Sequence, residues 1–157
     1  MLSIFQWLEA TSISKAINNS LYAFAMIQGV HLVSLAVIGG CVLVVSLRLF
    51  GAGFRNQRIA DVAEAAHPWL IASTIGVIAS GFFMFASLAA TKYYWNSAFW
   101  WKMFFLALAL VFTFAVQQPL AKRERYAIPS VLAKGSAVLA MFLWFMVIAL
   151  GRGIGFL

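Results

Sequence analysis

The sequence predicts an all-α, polytopic membrane protein: a four-transmembrane-helix antiparallel bundle with a short N-terminal interfacial helix. Composition is the first observation. Of 157 residues, 64% are hydrophobic and 10% are charged, with a mean hydropathy of +0.96, whereas a soluble domain has about 45–50% apolar and about 25% charged residues. The second observation is the length of the apolar stretches. There are four of them, and each is close to the ~20 residues that a helix needs to cross a bilayer. We interpret residues 1–157 as a single transmembrane domain.

The four predicted spans cover residues 21–47, 68–91, 98–118 and 131–151. They lack the alternating pattern of a transmembrane β-strand, and helices satisfy their own backbone groups in lipid. Residues 2–19 place a few apolar side chains among polar ones, which predicts the interfacial helix rather than a cleaved signal peptide. In the polar segment 51–69, apolar residues at helical spacing from Ile59 onward indicate that the second helix extends backward. Pro68 then lies in its first turn or at a kink.

The basic residues are distributed unevenly between the two sides of the membrane. Seven of the eleven flank the first and third loops, and four lie on the other side. The larger group is Arg48, Arg55, Arg58, Lys122, Arg123, Arg125 and Lys134; the smaller is Lys15, Lys92, Lys102 and Arg152. This asymmetry predicts a bacterial inner-membrane protein with both termini on the periplasmic side. The net charge of +7 therefore orients the chain in the bilayer and does not require a nucleic-acid partner.

His31 lies inside the first span, in a stretch that is otherwise apolar or small from Gln28 to Arg48 apart from two serines. Ionisable residues at membrane depth are rare and mark functional sites. One interpretation is a neutral imidazole hydrogen-bonded to a neighbouring helix, within a polar stripe that includes Gln28 and Ser34, three residues before and after it. The other is an axial ligand to a haem iron, or to the magnesium of a chlorin pigment shared with a partner. The residues leave both open.

Lys102 and Arg152 lie in the outer parts of the third and fourth spans, on the same side of the membrane as His31. Each position alone is explained by snorkelling to the headgroups. Together with His31, both residues fit a haem whose propionates point outward, and Lys102 also fits as a second axial ligand. The predicted cofactor site is therefore His31, Lys102, Arg152, Gln28 and Ser34, with His31 as the metal ligand.

His67 does not fit the same iron. Sixteen residues separate His31 from Leu47 at the inner end of the first span, roughly 24 Å of helix, and His67 begins the second span at that inner end. Two axial histidines need backbones within about 12 Å, given metal–nitrogen bonds near 2 Å. We predict no catalytic residue, because the spans contain no carboxylate pair and no nucleophile motif. The single cysteine, Cys41, excludes an intrachain disulfide and a thiolate cluster.

The first helix resembles that of HemJ-type protoporphyrinogen oxidases and CopD-type copper-resistance membrane proteins. The matching residues are His31, the pair Gly39 and Gly40, and the Leu-Arg-Leu of 47–49. In HemJ-type proteins a lysine near the start of a later helix accompanies the histidine in a haem site, and Lys102 in FWWKMFF stands in a similar place. From FQWLEATSISKAI through LRLFG and KYYWNSAFWWK to GRGIGF, the whole chain is similar to an uncharacterised family of four-helix bacterial inner-membrane proteins.

These observations favour a haem b-binding inner-membrane protein that transfers electrons or anchors a redox partner, itself a membrane or periplasmic protein. The alternative is a non-catalytic accessory or assembly subunit of a larger membrane complex, in contact with a pigment or cofactor. Abundant small residues and aromatic belts suit that alternative. A copper or small-solute permease is less favoured, because the methionines are scattered along the chain.

Overall fold

The computed structural model describes residues 2–20, 22–53, 56–88, 93–123 and 131–154, and the described elements are all helical. Two short helices come first, and the remaining elements form the spans. In chain order they are α1 (Leu2–Glu9), α2 (Ser12–Asn19), α3 (Ala23–Phe50), α4 (Ile59–Ser87), α5 (Ser97–Phe112), a π-helical turn (Thr113–Gln117), α6 (Gln118–Arg123) and α7 (Val131–Gly153).

Four continuous helical stretches within the described residues are long and apolar enough to span a membrane. They are α3, α4, the run from α5 to α6 over Ser97–Arg123, and α7. Bulky apolar side chains such as Val33, Ile75, Phe104 and Phe145 are exposed on their outer faces. A soluble bundle keeps those faces polar, so this surface requires a lipid bilayer, and the four-helix membrane fold predicted from the sequence is confirmed.

Local sequence explains several helix ends. The α3 helix ends at Gly51, whose φ of 86° is left-handed and whose N–H bonds back to the Arg48 and Leu47 carbonyls, a conformation that glycine adopts without strain. The α5 helix begins after Asn96, whose side chain accepts hydrogen bonds from the Ala98 and Phe99 N–H groups at 3.0 and 3.3 Å. Such a side-chain cap satisfies amides that have no partner within the helix.

The α3 helix packs along both α4 and α7, and α5 packs along α7. Among the described residues, α4 reaches the third span mainly through α6 and makes few close backbone approaches to α5. One core is shared by all four spans and includes Ile38, Val77, Ala109 and Trp144. We call the end with the starts of α3 and α5 the termini end, and the opposite end, with the start of α4, the loop end.

The short helices α1 and α2 cover the termini end. Ser14 Oγ donates to the Ala86 carbonyl at 3.1 Å, and Asn18 Nδ2 donates to the Ser87 carbonyl at 2.9 Å. The Phe5 ring packs edge-on against Phe85, with centroids 5.4 Å apart. These contacts tie the N-terminal segment to the last turn of α4.

The helix boundaries differ from the predicted spans in two places. The second helix begins at Ile59 and contains Pro68 as an exposed interior residue, so the backward extension is present. The predicted interfacial helix of residues 2–19 is divided at Ala10, because Thr11 caps a new helix by accepting from the Ser14 N–H. The third loop lies outside the described residues from Glu124 to Ser130, as do Arg55, Lys92 and Arg125.

Candidate functional site

His31 lies in α3, eight residues after Ala23 and therefore about 12 Å from the start of that helix. Its side chain is buried, with 8% of its surface exposed. Nδ1 is 3.0 Å from Ser80 Oγ on α4. The neighbouring-helix hydrogen bond considered from the sequence is thus formed, and its partner is a serine that the sequence did not single out.

The Ser80 hydroxyl determines which ring nitrogen carries the proton. Its Oγ donates to the Gly76 carbonyl, one turn earlier in α4. A hydroxyl has one proton to donate, so towards His31 it acts as the acceptor and Nδ1 carries the hydrogen. In a neutral imidazole the lone pair then lies on Nε2. Metal-bound histidines have the same arrangement, because a hydrogen bond to the nitrogen that does not bind the metal fixes the ring.

Two glycines of α4 allow α3 to approach closely at this level. A Cβ atom at Gly81 would lie 3.2 Å from Cε1 of His31, and one at Gly76 would lie 2.5 Å from Ser34 Oγ. Any larger residue at Gly76 would therefore overlap Ser34. Ser34 and His31 share the face of α3 that packs on α4, as the sequence predicted for these two residues.

Lys102 comes from α5, the helix diagonally opposite α3. It is half-buried, and its Cε and Nζ both lie 3.5 Å from the position of a Cβ atom at Gly151 on α7. His31 and Lys102 lie eight and five residues after the first residues of α3 and α5, so both are in the half of the bundle at the termini end.

The remaining predicted site residues lie further out. Gln28 is exposed on α3, and Arg152 is exposed in the last turn of α7, next to Gly151. Arg152 is at the same end of the bundle as Lys102, whereas Gln28 does not share the buried face of His31. The structure adds Ser80 and Gly81, which the sequence did not single out.

A comparison with protein-family models gives a match over residues 4–157, to the family of unknown function DUF6644. The chain belongs to this family. The match covers nearly the whole chain, in agreement with the predicted similarity to an uncharacterised family. The comparison with curated proteins and the comparison with solved structures each gave no match.

His67 is separate from this site. It is partly buried near the start of α4, 13 residues before Ser80, which corresponds to about 20 Å along the helix axis. No group of three or more His, Cys, Asp or Glu side chains converges on one point within the described part of the chain. The described residues therefore contain no cage of protein ligands for a metal ion. A haem iron, by contrast, needs only one or two axial ligands from the protein.

Proposed function

We propose that this DUF6644 protein binds haem b through Nε2 of His31. The observation that carries the proposal is the chain of hydrogen bonds from Nδ1 of His31 to Ser80 and on to the Gly76 carbonyl. It fixes the ring and leaves the Nε2 lone pair for a metal. The resemblance of His31 and Lys102 to HemJ-type sequences supports the same assignment.

The donor set is compatible with a haem, which needs only one or two axial ligands from the protein. A Cβ atom at Gly81 would lie 3.2 Å from Cε1 and 3.6 Å from Nδ1 of His31, so α4 packs closely against that edge of the ring. The α4 and α5 helices meet mainly through side chains, such as the Phe85 and Phe99 rings stacked at 5.4 Å. A bundle opens most easily where close backbone packing is lacking, so this is the side on which a flat group would enter.

Lys102 and Arg152 have different roles in this proposal. The Lys102 amine, half-buried beside Gly151 of α7, is the candidate second axial ligand. Arg152, exposed at the end of α7, is the candidate partner for a propionate. Bound haem supplies a reversible one-electron carrier, so the protein would transfer electrons or anchor a redox protein of the membrane or periplasm.

The proposal places the chain in the inner membrane of a bacterium with both termini in the periplasm. Among described residues, five basic side chains lie at the loop end: Arg48, Arg58, Lys122, Arg123 and Lys134. Three lie at the termini end: Lys15, Lys102 and Arg152. The excess at the loop end supports a cytoplasmic location for that end.

The test is the absorption spectrum of the protein purified from haem-replete cells. We expect a Soret band and a reducible α-band, both lost in His31→Ala and both kept in the matched control His67→Ala. The His31→Gly variant should regain the Soret band when imidazole is added, because free imidazole fills the vacated ligand position. Lys102→Leu should keep the haem and change its spin state, because leucine cannot ligate iron.

A colourless, folded protein from such cells would contradict the proposal and favour the accessory-subunit hypothesis. Equal loss of haem in the His31→Ala and His67→Ala variants would also contradict it, since His67 lies about 20 Å away along α4.

A further inference from the structure

Two grooves lie at the loop end of the bundle. The neutral groove runs between α3 and the first half of α4, with a volume of about 450 Å³. The basic groove runs between the π-helical turn with α6 and the start of α7, with a volume of about 510 Å³. His31 and Lys102 line neither groove, so neither belongs to the candidate haem site.

Charge distinguishes the two grooves. Arg123 lines the basic groove, and the exposed Lys122 and Lys134 each precede a groove residue in sequence. Among the described residues that line the neutral groove, none is charged, and its Gln57 carbonyl accepts a hydrogen bond from the buried Arg48 at 2.8 Å. The two grooves are therefore similar in volume, but they differ in the lipid headgroup that they would bind.

The walls of the basic groove are suited to an acyl chain. Val116 and Leu120 form one side, and Leu132 and Leu139 form the other. Gly135 lies between the two leucines in α7, and a Cβ atom there would meet nothing within 4 Å. The absence of a side chain at Gly135 therefore leaves open space in the groove. In the described structure no neighbouring helix packs closely against this glycine.

We propose that the basic groove binds one anionic phospholipid in the leaflet at the loop end. Its acyl chain lies between α6 and α7, and Arg123 pairs with its phosphate, a contact that charge-assisted hydrogen bonds strengthen. Basic pockets between transmembrane helices bind anionic headgroups in this way. The neutral groove takes acyl chains without headgroup preference. This proposal is independent of haem binding.

The experiment is native mass spectrometry of the full chain in detergent micelles. Phosphatidylglycerol and phosphatidylcholine with identical acyl chains are titrated separately. We expect tighter binding of phosphatidylglycerol, reduced about fivefold in Arg123→Gln, the factor that one interfacial arginine contributes. Phosphatidylcholine binding should fall less, because its choline already balances the phosphate charge. Arg58→Gln is the matched control, because Arg58 is exposed at the same end and lines neither groove.

A second pair of variants tests the groove itself. Gly135→Leu fills the open space and should lower the binding of the anionic lipid, whereas Gly29→Leu should not. Gly29 is the matched control because it is exposed and equally uncrowded but lies at the other end. Equal affinity for the two lipids, or equal effects of Arg123→Gln and Arg58→Gln, would overturn the proposal by showing only a diffuse basic surface.

Discussion

At the scale of single residues, Gly76 lies where α4 packs closely against Ser34 of α3. We predict that Gly76→Ala lowers the free energy of unfolding by ~1–3 kcal/mol, the usual cost of overpacking, because its Cβ would lie 2.5 Å from Ser34 Oγ. Gly39→Ala is the control, since a Cβ at Gly39 meets nothing within 4 Å. Thermal unfolding in detergent measures both. Adding Ser34→Ala should recover part of the loss, and equal destabilisation by the two glycine variants would contradict the prediction.

The sequence predicted how deep the site residues lie in the membrane better than it predicted which way their side chains face. His31 and Lys102 were paired because both lie in the outer half of the membrane, and in the structure both lie within eight residues of the starts of their helices at the termini end. Gln28 is one turn from His31 and is nevertheless exposed. Ser80 could not be identified, because its role depends on how α4 is rotated against α3, and a single sequence does not contain that rotation.

At the scale of elements, the α2 helix acts as a cap for α4. The last carbonyls of a helix have no partner within it, and Ser14 and Asn18 donate to two of them, at Ala86 and Ser87. We predict that Asn18→Ala speeds amide hydrogen exchange in α1 and α2 several-fold, since one such bond contributes about 1 kcal/mol. The exposed neighbour Asn19 gives the control Asn19→Ala. Unchanged exchange in Asn18→Ala would mean that α2 is held by other contacts.

The number and approximate positions of the helices were predictable from the sequence, whereas their local geometry was not. Four long apolar stretches in lipid have few alternatives to four helices, so their number and approximate positions followed from hydropathy. The π-helical turn at Thr113–Gln117 had no signal in the pattern. In the structure it coincides with specific side-chain contacts, namely Trp144 Nε1 donating to Thr113 Oγ1 at 3.0 Å and Gln117 Nε2 donating to Ser46 Oγ at 2.9 Å. Such contacts between distant spans cannot be read from either segment alone.

At the scale of the whole molecule, the order in which the helices neighbour each other governs the candidate site. Because α3 packs on α4 and α7 while α5 packs on α7, His31 and Lys102 come from opposite corners of the bundle. Helix lengths and loops predicted antiparallel neighbours, but several arrangements of four helices satisfy them. The arrangement found leaves the side between α4 and α5 with the least backbone packing, and this is the side on which the haem proposal depends.

The orientation of the bundle can be tested with introduced cysteines. Cys41 is the single cysteine, so a Cys41→Ser background allows Asn19→Cys to report on the termini end and Asn56→Cys on the loop end, both at exposed positions. We predict that a membrane-impermeant maleimide added to spheroplasts labels Asn19→Cys, and labels Asn56→Cys only after the membrane is permeabilised. The reason is that lysine and arginine are retained on the cytoplasmic side during insertion. Labelling of Asn56→Cys in sealed spheroplasts would reverse the orientation and place Arg152, the proposed propionate partner, on the cytoplasmic side.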